Sequence, residues 1–172
     1  MEHFAPHYFL PIAILFLLTP RSFGDTQSLI VKICHQTSDF GFCQNTFNKH
    51  LFNPETDTKG LSQIAVTQTL IHATNTKIFI SKAIRSEKDV ELQNLYKICE
   101  VGYENLVGQF TDANFAFGRG DIRSMLFYVG KCERFVTDCQ YVMGNQAPQL
   151  DVQNAQNRVL VQMSLFSGQL IG

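Results

Sequence analysis

Five cysteines, at positions 34, 43, 99, 132 and 139, are the residues of this 172-residue chain most able to do chemistry. A thiol can be a nucleophile, a metal ligand or half of a disulfide, and its neighbours decide which. His35 beside Cys34 is the one arrangement that could activate a thiolate, and nothing else supports that reading. Past residue 24 the histidines are His35, His50 and His72, in three unrelated settings with no H-E-x-x-H and no ligand spacing. No C-x-x-C, G-x-S-x-G or phosphate-cradling glycine loop occurs. Asp112 and Asp121 could be taken as paired carboxylates, but one closes a helix face and the other begins a new helix. Arg119–Gly120–Asp121 spells an integrin-binding tripeptide, yet a glycine helix stop followed by an aspartate cap explains the same residues. The chain reads as a non-enzyme that needs neither metal nor cofactor.

The compartment decides what the cysteines do instead. Tyr8 to Leu18, "YFLPIAILFLL", is an apolar run of signal-peptide length, too short to span a membrane. Ser22 and Gly24 are small residues suitably placed for a cut before Asp25. Pro6, Pro11 and Pro20 argue against a buried core helix. Residues 1–24 are therefore expected to be a signal peptide and 25–172 the mature, exported domain. About 150 residues suffice for one domain with its own core. The leader contains one acidic and one basic residue, Glu2 and Arg21, so the mature net charge stays near −1. That balance is neither the basic footprint of a nucleic-acid binder nor an acidic tail. Export permits disulfides, and five thiols leave at least one unable to pair within the chain.

The elements that must position these cysteines are helices. From 92 onward Leu92, Leu95, Cys99, Gly102, Leu106, Phe110, Ala113 and Phe117 step by three or four. "SEKD" at 86–89 reads as the capping start of that helix, and "GRG" at 118–120 as its end. Asp121 is a natural N-cap for the next, where Ile122, Met125, Val129, Cys132, Val136, Cys139 and Met143 repeat the step. "GNQAP" breaks the pattern at 144–148, and a fourth stripe follows: Val152, Ala155, Val159, Met163, Phe166 and Leu170. An earlier stripe, Val66, Leu70, Ala73, Ile80 and Ile84, predicts a helix over about 59–85, with Ile64, Ile71 and Ile78 widening its apolar face. Four helices of roughly 25 residues joined by short breaks should lie antiparallel as an all-α bundle. Ahead of them, "SLIVKIC" and "FCQNTFNKHLF" read as two short helices flanking a turn at 38–41.

In that frame the cysteines act as staples. A Cys34–Cys43 bridge ties the two short helices into a hairpin. Cys99 and Cys139 lie on the apolar stripes of consecutive antiparallel helices and can face each other across the core. Cys132, two turns before Cys139 on the same stripe, is expected to be a buried free thiol behaving as a small apolar side chain.

These features together resemble the plant invertase and pectin methylesterase inhibitors. "IC..T" is followed by cysteine spacings of 9, 56 and 40, and Tyr103, Leu106, Asp112, Ala113, Gly120 and Asp121 stand where that family has them. The resemblance implies a four-helix bundle preceded by a disulfide-closed hairpin. It also implies a monomeric protein that covers the active-site cleft of a cell-wall or vacuolar carbohydrate-active enzyme. No nucleic acid and no membrane span enter that picture. Invertase-directed members carry Pro-Lys-Phe directly after Gly-Asp, whereas Ile122, Arg123 and Ser124 follow here. That difference favours pectin methylesterase as the target, with acid invertase the alternative and a non-inhibitory binding module the third reading. Pectin methylesterase-directed members make contacts around "TCED" at the fourth cysteine, where this chain has Asp138, Cys139, Gln140 and Tyr141. The candidate contacts are thus Asp121, Arg123, Ser124, Asp138, Gln140 and Tyr141, although each also suits an ordinary solvated helix face.

Overall fold

Glycine, aspartate and proline signals at 118–121 and 144–148 end and start helices in the computed structural model, which describes residues 23–172. The expected signal peptide lies almost wholly outside the described residues. Two short helices, α1 (Phe23–Cys34) and α2 (Phe40–His50), form the N-terminal hairpin. Asp39 caps α2 by accepting the Phe42 N–H at 2.9 Å. Two long helices follow, α3 (Thr58–Ser86) and α4 (Val90–Gly118). Ser86 closes α3 rather than opening α4, its hydroxyl turned back to the Lys82 and Ala83 carbonyls. Asp89 alone caps α4, accepting the Glu91 N–H at 2.8 Å. Only Glu87–Asp89 connect the two helices, and the N3 residue of α4 is Leu92, which has no group to reach back to the cap, so no capping box forms.

The third long element is broken, where the sequence reading had one helix. It consists of α5 (Ile122–Val129) and α6 (Cys132–Met143), separated by Gly130 and Lys131. Both linking residues keep helical dihedrals, and Lys131 N–H reaches back only three residues, to the Tyr128 carbonyl at 3.4 Å. The turn is tight: a Cβ on Gly130 would stand 3.1 Å from the Leu126 carbonyl oxygen. The last helix, α7 (Pro148–Gln169), has proline in its first turn, where no intrahelical N–H is needed.

Packing follows from the apolar faces. α3 lies between α4 and α7, and the α5–α6 unit closes the bundle against the other sides of α4 and α7. The hairpin packs on α3 and α7, burying Ile30, Ile33 and Phe47 against Leu61, Ala65, Leu160 and Met163. The main core holds Leu106, Phe110, Met125, Val136 and Met143. Each such side chain contributes about 1.5–3 kcal/mol by leaving water. Gly102 lets α4 approach α6, since a Cβ there would stand 3.1 Å from the Phe135 carbonyl oxygen. Beside it Cys99 is bonded to Cys139, with Cα atoms 4.7 Å apart; Cys34 is bonded to Cys43 at 5.5 Å.

Two expected faces are corrected. Ile71 and Ile78 stand about half exposed on the outside of α3, because the inward arc is already filled by Ser62, Thr69, Ala73, Thr76 and Ile80. On α7, Val159 and Met163 of the expected stripe are buried against the hairpin, but Val152 and Ala155 face solvent, and a second buried arc runs through Leu150, Asn154, Asn157, Val161, Ser164 and Gly168. That arc is polar because its partners are polar. Tyr103 donates its hydroxyl hydrogen to Asn154 Oδ1 at 2.7 Å and accepts from Asn157 Nδ2 at 3.1 Å. Asn157 Nδ2 also reaches Thr76 Oγ1 at 3.0 Å, and Thr69 and Ser164 share a hydrogen bond of 3.0 Å. Burial pushes the Tyr103 phenol well above its usual pKa, so it stays a neutral donor.

Candidate functional site

The six candidate residues fall into two groups. Asp121, Arg123 and Ser124 stand at the start of α5. Asp121 accepts the Ser124 N–H at 3.0 Å, and hydrogen bonds from the Ser124 hydroxyl and backbone hold its carboxyl below the usual carboxylate range. Arg119 and Arg123 add a smaller push in the same direction. Asp138, Gln140 and Tyr141 lie in the second half of α6, about 25 Å further along if the two helices were straight. They do not make one compact patch.

What joins the groups is periodicity. Arg123, Phe127, Lys131, Arg134, Asp138 and Tyr141 step by four, four, three, four and three, and all six are exposed. They form a ridge on the outer side of α5–α6, opposite the stripe that enters the core. Because Gly130 and Lys131 keep helical dihedrals, the step carries across the break. Phe127 and Tyr141 are 61 % and 88 % exposed, a large apolar surface to leave in water. Lys131 Nζ sits 3.7 Å over the Phe127 ring, and Arg134 Nε is 3.3 Å from Asp138 Oδ2. Exposed aromatic rings and arginines, here Phe127, Tyr141, Arg123 and Arg134, are what protein interfaces enrich. Asp121, Ser124 and Gln140 are half-buried and stand off this ridge. Sequence reasoning missed Phe127, Lys131 and Arg134, although the same three-four step, counted from Arg123, reaches all of them.

The remaining candidates carry no chemistry. Cys34 is bonded and buried, and His35 turns outward with its ring 4.8 Å from Phe40. In the Arg119–Gly120–Asp121 stretch, Gly120 takes φ +77° to end α4, Asp121 is occupied as a cap, and Arg119 lies 4.5 Å over Phe115. Among the described residues no group of three or more His, Cys, Asp or Glu could hold a metal, and no helix is long and apolar enough to cross a membrane. Cys132 is free and buried; its thiol donates to the Tyr128 carbonyl at 3.3 Å, and burial pushes its pKa up to about 12. The native protein should therefore resist iodoacetamide at neutral pH and react only after denaturation. Rapid labelling of the native protein would place this thiol at the surface.

The profile of the plant invertase/pectin methylesterase inhibitor family matches residues 28–164. The chain belongs to this family. It is accordingly an inhibitor of the invertase/pectin methylesterase inhibitor type and not an enzyme. Two solved structures share the family fold. The crystal structure of a pectin methylesterase inhibitor from Arabidopsis thaliana covers 84 % of this chain and 97 % of its own at 18 % identity, with a TM-score of 0.65. Mutant form A of a pectin methylesterase inhibitor from Arabidopsis covers 82 % and 95 %, also at 18 % identity, with a TM-score of 0.74. No curated protein matches the chain.

Proposed function

We propose that this family member is exported to the cell wall, with residues 1–24 as its leader and 25–172 as the inhibitor domain. There it blocks a pectin methylesterase as a monomer, by seating the α5–α6 ridge over the enzyme's active-site cleft. One observation carries the choice of target. Ile122–Arg123–Ser124 begins α5 where invertase-directed members have Pro-Lys-Phe. Two solved proteins that share this fold, both described as pectin methylesterase inhibitors, point the same way. Inhibition by occlusion needs a face that keeps its shape, and two disulfides together with a filled core provide it.

Titration of the refolded, correctly bonded protein against one pectin methylesterase and one acid invertase tests the reading. Esterase activity should fall and saturate near one inhibitor per enzyme, with invertase untouched. Arg123→Glu should weaken esterase binding by about tenfold by reversing a charge at one end of the ridge. The fold should hold, because Arg123 is exposed and an acidic side chain is favourable near a helix N-terminus. Unchanged inhibition by Arg123→Glu, Phe127→Ala and Tyr141→Ala would move the contact to another face. Loss of invertase activity instead would reassign the target, and full activity of both enzymes would leave a scaffold with a different partner.

A further inference from the structure

A second feature involves no residue of the ridge. Between α2, α3 and α7, where the hairpin meets the bundle, lies an open hollow of about 320 Å³. Its ionisable lining consists of Lys49 and His50 from the last turn of α2 and His72 from the middle of α3. None of the residues lining it is acidic. Nearby carboxylates are engaged elsewhere: Asp57 caps α3 through the Gly60 N–H at 2.8 Å, and Asp39 caps α2 beyond Phe42, in an adjoining hollow with Arg158. From α7 the lining receives only Leu160. Three nitrogen bases converging without a counter-charge leave a local field that favours an anion.

The other lining residues limit what that anion is. Asn45 and Gln68 offer amides that can both donate and accept, Thr46, whose hydroxyl hydrogen goes to the Phe42 carbonyl at 2.8 Å, offers an accepting oxygen, and Phe42 and Leu160 supply apolar contact. The volume lies at the small end of the range for ligand sites, about 300–1,000 Å³. We propose that this hollow binds a small hydroxylated organic anion, one carboxylate or phosphate carried on a body about the size of a single hexose. Lys49 and the two imidazoles receive the charge, and Asn45, Thr46 and Gln68 receive the hydroxyls.

The proposal fixes a pH direction. An imidazole gains its charge as pH falls, so affinity for an anion rises toward acid. Burial holds the His72 pKa below its usual value, against weaker opposite pulls from Asn157 and Gln156, so its share of the gain comes at the acid end. A bound anion stabilises the imidazolium and raises that pKa, which makes binding take up protons.

Glucuronate, glucose 6-phosphate and neutral glucose serve as probes for the full mature protein, followed by titration calorimetry and by NMR of the histidine rings. Glucuronate, whose carboxylate stays ionised throughout, should bind about tenfold more tightly near pH 5 than near pH 7.5, moving the His50 and His72 resonances; the phosphate ester, which gains its second charge near pH 6, is compared with it at pH 7.5. The stronger of the two identifies the anionic group. Lys49→Ala and His72→Gln should each weaken binding about five- to tenfold. Lys49 is exposed, so its loss leaves the fold intact and keeps the test decisive even if His72→Gln unfolds. Glucose binding as well as the anions do, affinity indifferent to pH and to Lys49→Ala, or no saturable binding of any probe would each overturn the site. None of these readouts depends on enzyme inhibition.

Discussion

Replacing Cys99 and Cys139 together by alanine should lower the free energy of unfolding by about 3–4 kcal/mol, read from urea denaturation under non-reducing conditions. The bridge spans a sequence separation of 40 and ties α4 to α6 across the main core. Cutting it returns that loop to the unfolded ensemble, and loop-closure entropy grows with the logarithm of loop length. Removing Cys34 and Cys43 opens a separation of only 9 and should cost less, about 2–3 kcal/mol. The native state loses contacts too, since Cys99 is fully buried and Asn154 Nδ2 lies 3.6 Å from the Cys139 sulfur. A loss under about 1 kcal/mol, or equal losses from the two pairs, would show that the unfolded chain keeps α4 and α6 together without the bond.

Tyr103→Phe should cost about 1–3 kcal/mol although it removes a single oxygen. Without the hydroxyl, Asn154 Oδ1 remains buried with no donor, while Asn157 Nδ2 keeps Thr76 and the Gln153 carbonyl. The penalty is the desolvation of the stranded acceptor, not the worth of the lost bond. A double-mutant cycle separates the two. Adding Asn154→Leu removes the stranded oxygen, so the double variant should be more stable than the sum of the single effects implies. Strict additivity would mean that water enters and satisfies Asn154 in the single variant.

The fold was largely legible because its signals are local. Gly120 at positive φ, Asp121 as a cap and Pro148 in a first turn announce their roles in the sequence, and the stripe from Met125 to Met143 entered the core as the three-four step predicted. What escaped was either paired over long range or polar. The sequence around Asn154 and Asn157 offers no clue that Tyr103 and Thr76 await them, so counting apolar residues found Val159 and Met163 on the side facing the hairpin but chose Val152 and Ala155 over the buried asparagines. The break at Gly130 was missed because glycine with helical dihedrals leaves the periodicity undisturbed. The same apolar bias hid half of the ridge, Phe127, Lys131 and Arg134. The capping residues at 121–124 and the segment around Cys139 carry motif signals, whereas Phe127 lies off the apolar stripe and belongs to no motif.

The polar seam between α3 and α7 has a consequence for alignment. Thr69 meets Ser164 and Thr76 meets Asn157, so partners seven residues apart on one helix face partners seven apart on the other. Two purely apolar helices can slide by a turn, about 5.4 Å, and still bury the same kinds of surface. These two cannot. A slide of one turn would bring Asn157 opposite Ala73 or Ile80, and Ser164 opposite Val66 or Ala73, breaking the hydrogen bonds between the helices and leaving these buried side chains only carbonyls of their own helix. The seam thus works as a ratchet with a single tooth position, fixing how far α7 extends past the hairpin it supports.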